Sequence, residues 1–182
     1  MRAHPLPPAL TALALALLVA TPALPARAAR MTDHKTAHTG PRAIGRFEDW
    51  TAAVHQEAGQ PVCYAFTRAT ASTPALRGRG DVVLTVTERP GGRDAVAISA
   101  GFAYAPNAAV QVAADATSME FYTAQRSAFA RDGHAAVIAF QRGRQVVARS
   151  PGPKNGVVTD SFSLRGFSAA YAAILKACPA KG

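Results

Sequence analysis

The sequence predicts a mainly β fold, an antiparallel sandwich or barrel-like domain with one short internal helix and a C-terminal helix. Three observations carry this. Short runs rich in β-branched and aromatic residues alternate with period two and are separated by Gly, Pro, Asn and Asp turns. The strand–helix–strand units of a doubly wound parallel sheet are missing from the pattern. The period becomes helical only at residues 132–143 and 167–178.

The body opens at Arg46-Phe47-Glu48-Asp49-Trp50, and TAAVHQ after the tryptophan reads as a strand. Residues 61–67 (PVCYAFT) form the next, with Val62, Tyr64 and Phe66 on one face and Cys63 and Ala65 on the other. Residues 71–80 are a Ser/Thr/Pro/Gly loop. Residues 81–88 (DVVLTVTE) are the clearest strand. Pro90-Gly91-Gly92 turns the chain into a second strand over 94–102, which makes a hairpin. Two more strands, 109–113 and 119–123, flank a turn at Asp115. Asp132 suits a helix N-cap, HAAVIAFQR the helix, and Gly143 the C′ residue, a position where a left-handed backbone is common. Strands over 145–149 and 157–164 enclose the loop SPGPKNG, and the second aligns Val158, Asp160, Phe162 and Leu164. In the last helix Phe167, Tyr171, Ile174 and Cys178 share an apolar stripe, and Pro179 stops it.

Residues 1–28 read as a secretory signal. Arg2 gives a positive start, residues 9–20 form an apolar run within the length of such a core, and Ala26-Arg27-Ala28 offers small residues before the cut. The run is too short to span a bilayer, and no later stretch would do so once the signal is removed. Residues 29–45 are expected to be a flexible linker and 46–182 a single domain with its own core. The expected location is the periplasm, or the secreted or outer-envelope space. There the chain's two cysteines, Cys63 and Cys178, would form one bond. Closing so long a loop is worth on the order of 4–5 kcal/mol.

Several segments together resemble the invasion-associated locus B family of exported alphaproteobacterial proteins. They are Phe47-Glu48-Asp49-Trp50, Val62-Cys63-Tyr64-Ala65, Met119-Glu120-Phe121-Tyr122-Thr123, Ala128-Phe129-Ala130, and the run from Val157 through Pro179. The resemblance implies a β-rich periplasmic or outer-envelope protein with no known cofactor, and it brings no catalytic residues. Many members have a cysteine soon after the Asp-Trp and others mid-chain. This sequence has neither, which leaves Cys63 and Cys178 as the one possible staple. It also departs from the family at Pro151-Gly152-Pro153-Lys154-Asn155-Gly156.

The formal charge is +9, and it falls to +7 when the signal takes two arginines with it. Such a balance favours anionic partners. Export makes nucleic acid an unsuitable one, so an anionic envelope component or an envelope protein is expected. Arg142, Arg144, Arg149, Lys154 and Arg165 fall on neighbouring segments and are the candidate binding face, because the arginine fork suits phosphate and carboxylate. No catalytic, metal or cofactor residues are assigned. Gly166-Phe167-Ser168 half matches a nucleophile elbow, but no acid or histidine follows Ser168, so that serine is expected to cap the helix. His34 and His38 lack a helix that would present them to a metal. Arg79-Gly80-Asp81 spells an integrin-binding tripeptide that is common by chance. Among Asp115, Glu120, Asp132 and Asp160, the last shares its face with apolar residues and would need a partner such as Arg144 or Arg149. The functional expectation is a non-enzymatic envelope binder. A secreted or surface adhesion factor and a cryptic hydrolase are the alternatives.

Overall fold

A computed structural model describes residues 40–153 and 156–180. The signal sequence, most of the predicted linker, the two tail histidines and Lys154 lie outside the described residues. The element order is β1 (Arg42–Phe47), β2 (Trp50–Glu57), β3 (Gln60–Arg68), β4 (Ala71–Thr73), β5 (Val83–Arg89), β6 (Gly92–Ser99), β7 (Ala109–Ala114), β8 (Thr117–Ala124), β9 (Ser127–Ala130), α1 (Gly133–Arg142), β10 (Gln145–Pro151), β11 (Val157–Ser163) and α2 (Phe167–Ala177).

Among the described residues the strands make one antiparallel sheet of eleven, in the order β1-β2-β3-β5-β6-β9-β8-β7-β10-β11-β4. Its ends, β1 and β4, do not pair, so the sheet stays open. It curls instead, until β11 returns to the start of β2 and the end of β3. The Trp50 indole donates to the Ser163 carbonyl at 2.9 Å, and the Thr70 amide donates to the Ser161 carbonyl at 2.8 Å. The mainly β, sandwich-like reading of the sequence therefore holds, with one rolled sheet in place of two separate ones.

The concave side is the core. Period-two alternation sends Cys63, Ala65 and Thr67 of β3, Leu84, Val86 and Glu88 of β5, and Val146 and Ala148 of β10 inward. Helix α2 packs against β1–β3 and α1 against β6. The predicted stripe of α2 is buried: Phe167 sits between Trp50 (ring centroids 4.8 Å apart) and Phe140 of α1 (5.5 Å), and stacks on Tyr171. Burying each such ring contributes about 1.5–3 kcal/mol. Cys178, which caps α2, is bonded to Cys63 of β3, with Cα atoms 5.9 Å apart.

Several elements differ from the sequence reading. Strand β1 begins at Arg42, inside the segment read as linker, because pairing with β2 orders a run, RAIGRF, too short and mixed to show a strand period of its own. Short strands β4 and β9 fall where a loop or no element was expected. Asp132 caps α1 through the Ala135 amide, as expected. Gly143 ends that helix in an extended conformation (φ −89°) and not a left-handed one. A Cβ there would lie 3.0 Å from the Leu164 side chain, so close approach is what calls for glycine. The left-handed residue is Gly166 (φ 85°), the N-cap of α2, where any side chain would strike the Phe47 carbonyl. No side chain caps α2, and Ser168 is exposed.

Candidate functional site

The acid singled out on β11 has a partner, but neither of those expected. Asp160 pairs with Arg79, whose Nη1 and Nη2 donate to its two oxygens at 2.8 and 2.7 Å, while Ser72 adds a third bond at 2.7 Å. Arg79 also donates through Nε to the Ala100 carbonyl and lies over the Phe102 ring. The two side chains are 6% and 4% exposed. Arg144 and Arg149 are not involved, because the loop between β4 and β5 delivers Arg79 to the inner face of β11 while Arg149 points to the outer one. This pair also removes the Arg79-Gly80-Asp81 tripeptide from use, since its arginine is inside the protein.

A second charged cluster joins the β5–β6 hairpin to both helices. Tyr171 donates to Asp94 Oδ1 at 2.5 Å, and His134 Nδ1 lies 2.8 Å from Asp94 Oδ2. The Asp94 amide donates to Glu88 Oε1 at 3.2 Å. Arg93 Nε lies 2.6 Å from Glu88 Oε2, out of line for a hydrogen bond, and Arg93 Nη1 donates to the Cys178 carbonyl at 2.8 Å. Glu88 is fully buried and stands opposite Cys63 in the β3–β5 register. Burial, aided by the neighbouring Asp94, pushes the Glu88 carboxyl up to about 7. Burial also pushes against ionisation of Asp94, but the Tyr171 hydroxyl, His134 and Glu88 outweigh it and hold its carboxyl below the usual range. Burial and Asp94 push the Tyr171 hydroxyl up. Two carboxyls driven apart in this way suit acid–base pairs, yet the Arg149 groove described below is not lined by either of them. Gly133 is pressed so closely on the Asp94 carbonyl that a Cβ would collide with it. The cluster is a clamp on the fold. Sequence reasoning missed it, although the alternation Leu84, Val86, Glu88 already pointed that glutamate inward.

Four of the five candidate basic residues are described. Arg142, Arg144 and Arg165 gather where α1, β10 and β11 meet at one end of the sheet, with the Arg144 carbonyl accepting from the Leu164 amide. Arg165 is paired with Glu48 at 2.8 Å. Arg149 is mid-strand in β10, facing the outer side of the sheet. Lys154 is among the residues not described.

Arg149 lines a surface groove of about 680 Å³ over the outer faces of β7, β8 and β10. The pairing register sets four side chains side by side across β11, β10, β7 and β8: Thr159, Arg149, Gln111 and Glu120. Neighbours in such a row are about 5 Å apart. The next row gives the floor, Val147 and Ala113, with Ser118 beside them. Asp115 closes one end, its carboxylate taken up by the Arg144 and Gln145 amides. Glu120 lies 3.7 Å from Arg131. Arg149 has no ion pair or hydrogen bond among the described residues. Among them too, no three His, Cys, Asp or Glu side chains gather to hold a metal ion, and no helix is long and apolar enough to cross a membrane.

A rolled antiparallel sheet with two helices on its concave side and a groove outside defines a small β-rich domain class. Within it, the chain belongs to the invasion associated locus B (IalB) protein family, whose sequence profile matches residues 50–175. The fold is similar to the crystal structure of invasion associated protein B from Bartonella henselae, with a TM-score of 0.55 at 16% identity, covering 73% of this chain and 95% of that one. No curated sequence matches.

Proposed function

We propose that the protein is a non-enzymatic, exported envelope protein that binds an envelope component or partner protein through the groove side of its sheet. The observation that carries this is Arg149, an arginine without a partner among the described residues, in a concave site of mixed polar and apolar lining on the outer face. A guanidinium so placed can donate two parallel bonds to an oxyanion. Family membership and the apolar leader at residues 9–20 support export. The non-enzymatic part is supported by the use of the two carboxyls with displaced ionisation to tie the β5–β6 hairpin to the helices, and by Ser168 having neither acid nor histidine after it. The buried arginine of the Arg-Gly-Asp tripeptide speaks against adhesion through that motif.

The test is photo-crosslinking in living cells from a probe at Gln111, with a second probe at Arg144. A specific envelope adduct from Gln111 that disappears in Arg149→Gln is the expected result. Adducts from Arg144 alone would move the binding surface to the basic end of the sheet. No specific adduct from either would overturn the proposal.

A further inference from the structure

We infer that the Arg149 groove is a site for a carboxylate-bearing glycan, an acidic sugar chain presented to it in extended form. This rests on the binding reading above and names the ligand class. The chain as a whole is basic, which taken alone would favour polyanions such as nucleic acid or phosphorylated lipid headgroups. The groove itself is not basic. Its lining holds one arginine against two carboxylates, Asp115 and Glu120. Asp115 is taken up by the Arg144 and Gln145 amides and Glu120 leans toward Arg131, so Arg149 is the one charge of the lining left to a ligand, and a dense polyanion would find no second cation there. A single negative charge, placed against Arg149 and surrounded by neutral hydrogen-bonding groups, fits.

Residues in the groove, with Thr159 at its edge, supply those groups. Thr159 and Gln111 stand on either side of Arg149 in the same cross-strand row, and Glu120 follows Gln111. A threonine hydroxyl, a primary amide and a carboxylate accept and donate to hydroxyls, and most exposed atoms of a sugar ring outside its C–H groups are hydroxyls. Glu120 is 87% exposed at its side chain, so it is free to accept from a ligand while it leans toward Arg131. The floor of Val147 and Ala113 is short and apolar, and Val157, next to Thr159 on the same face of β11, is 66% exposed. These surfaces suit the C–H faces of pyranose rings, which a phosphate or a simple carboxylic acid would leave uncovered. The strands run across the groove in fixed register, so the polar row is rigid and needs no rearrangement to receive an extended chain.

The test is an NMR titration of the protein with three probes: a hyaluronan tetrasaccharide, which carries glucuronate, the neutral maltotetraose, and inorganic phosphate. The expected result is amide shifts at Gln111, Ala113, Val147 and Thr159 with the glucuronate probe, weakened about tenfold or more in Arg149→Gln and weakened less in Glu120→Gln. Arg144→Gln, outside the groove, should bind as the parent does. Equal binding of maltotetraose would overturn the role of the carboxylate. Equal or tighter binding of phosphate at the same amides would overturn the glycan and reassign the site to a phosphate. No shifts with any probe would overturn the inference outright. In that event a Gln111 crosslink to a protein would leave the broader binding reading standing, whereas loss of both would remove it too.

Discussion

Arg79 turns its guanidinium inward, where it meets Asp160, Ser72, the Ala100 carbonyl and the Phe102 ring. Removing one member of a buried pair leaves the other charge without compensation, typically at 3–5 kcal/mol. Arg79→Ala is therefore expected to lower unfolding free energy by about 3 kcal/mol or more in chemical denaturation, and a loss below about 1 kcal/mol would contradict a buried pair. The sequence marked Asp160 as an inward acid through its apolar neighbours, but its partner lies 81 positions away and was not legible. Strand alternation reports which side a residue faces and says nothing of which loop will arrive there. The same limit applied to Arg149. Its type and exposure were readable, whereas its separation from Arg142, Arg144 and Arg165 depends on β10 carrying it along the sheet.

Glu88 gives a residue-scale dependence on pH. Its carboxyl keeps its proton in the folded protein up to about pH 7 and loses it near 4.5 when unfolded. Between these values the folded state binds more protons, so this group's contribution is fully present below the lower value and is lost as pH rises through about 7. The scale is on the order of 3 kcal/mol. Asp94 acts in the opposite sense: its lowered carboxyl stabilises the fold above the ordinary aspartate range and loses that effect as pH falls through its folded value. Stability measured by urea denaturation should fall from pH 5 to 8, and Glu88→Gln should flatten that slope. A slope unchanged by Glu88→Gln would place the proton elsewhere.

At the scale of elements, α2 is held three ways: by Phe167 in the aromatic core, by Tyr171 on Asp94, and by Cys178 on β3. Tyr171→Phe keeps the ring and removes the hydroxyl that reaches a carboxylate. It should cost about 1.5–3 kcal/mol, while Cys178→Ala should cost roughly 2–5 kcal/mol. Thermal melts of both variants check this, and a Tyr171→Phe protein as stable as the parent would show the bond to Asp94 to be idle. The helix was legible because its stripe of Phe167, Tyr171, Ile174 and Cys178 follows one period throughout. Strand β5 was legible for its β-branched alternation. Strand β9, four residues of Ser, Ala and Phe, has too little pattern to be distinguished from a turn, and β1 follows a polar stretch with too little alternation to stand out from it. Both exist because a neighbouring strand offers pairing, which is a property of the partner.

At the scale of the whole molecule, the mainly antiparallel architecture followed from the many short alternating runs, but their order in the sheet did not. The placing of β5 beside β3 and of β9 beside β6, and the return of β11 to β2, join segments apart in the chain, which local alternation does not report. Export predicts that protein recovered from the envelope begins at Ala29. N-terminal sequencing that instead finds Met1 would remove the processed-leader reading.

The meeting of the two ends of the domain has a bearing on its synthesis. Strands β1–β3 are covered by α2, Trp50 is tied to Ser163, Phe47 abuts Gly166, and Cys63 waits for a cysteine 115 positions later. Such distant pairings form slowly because the chain between them must first be closed into a loop. A polypeptide threaded across a membrane from its amino terminus would thus hold its earliest strands half-naked until the final few residues emerged. During that interval it would be a natural client for a holding chaperone and an easy target for proteases, and truncation by a single turn at its tail would leave it in that state permanently.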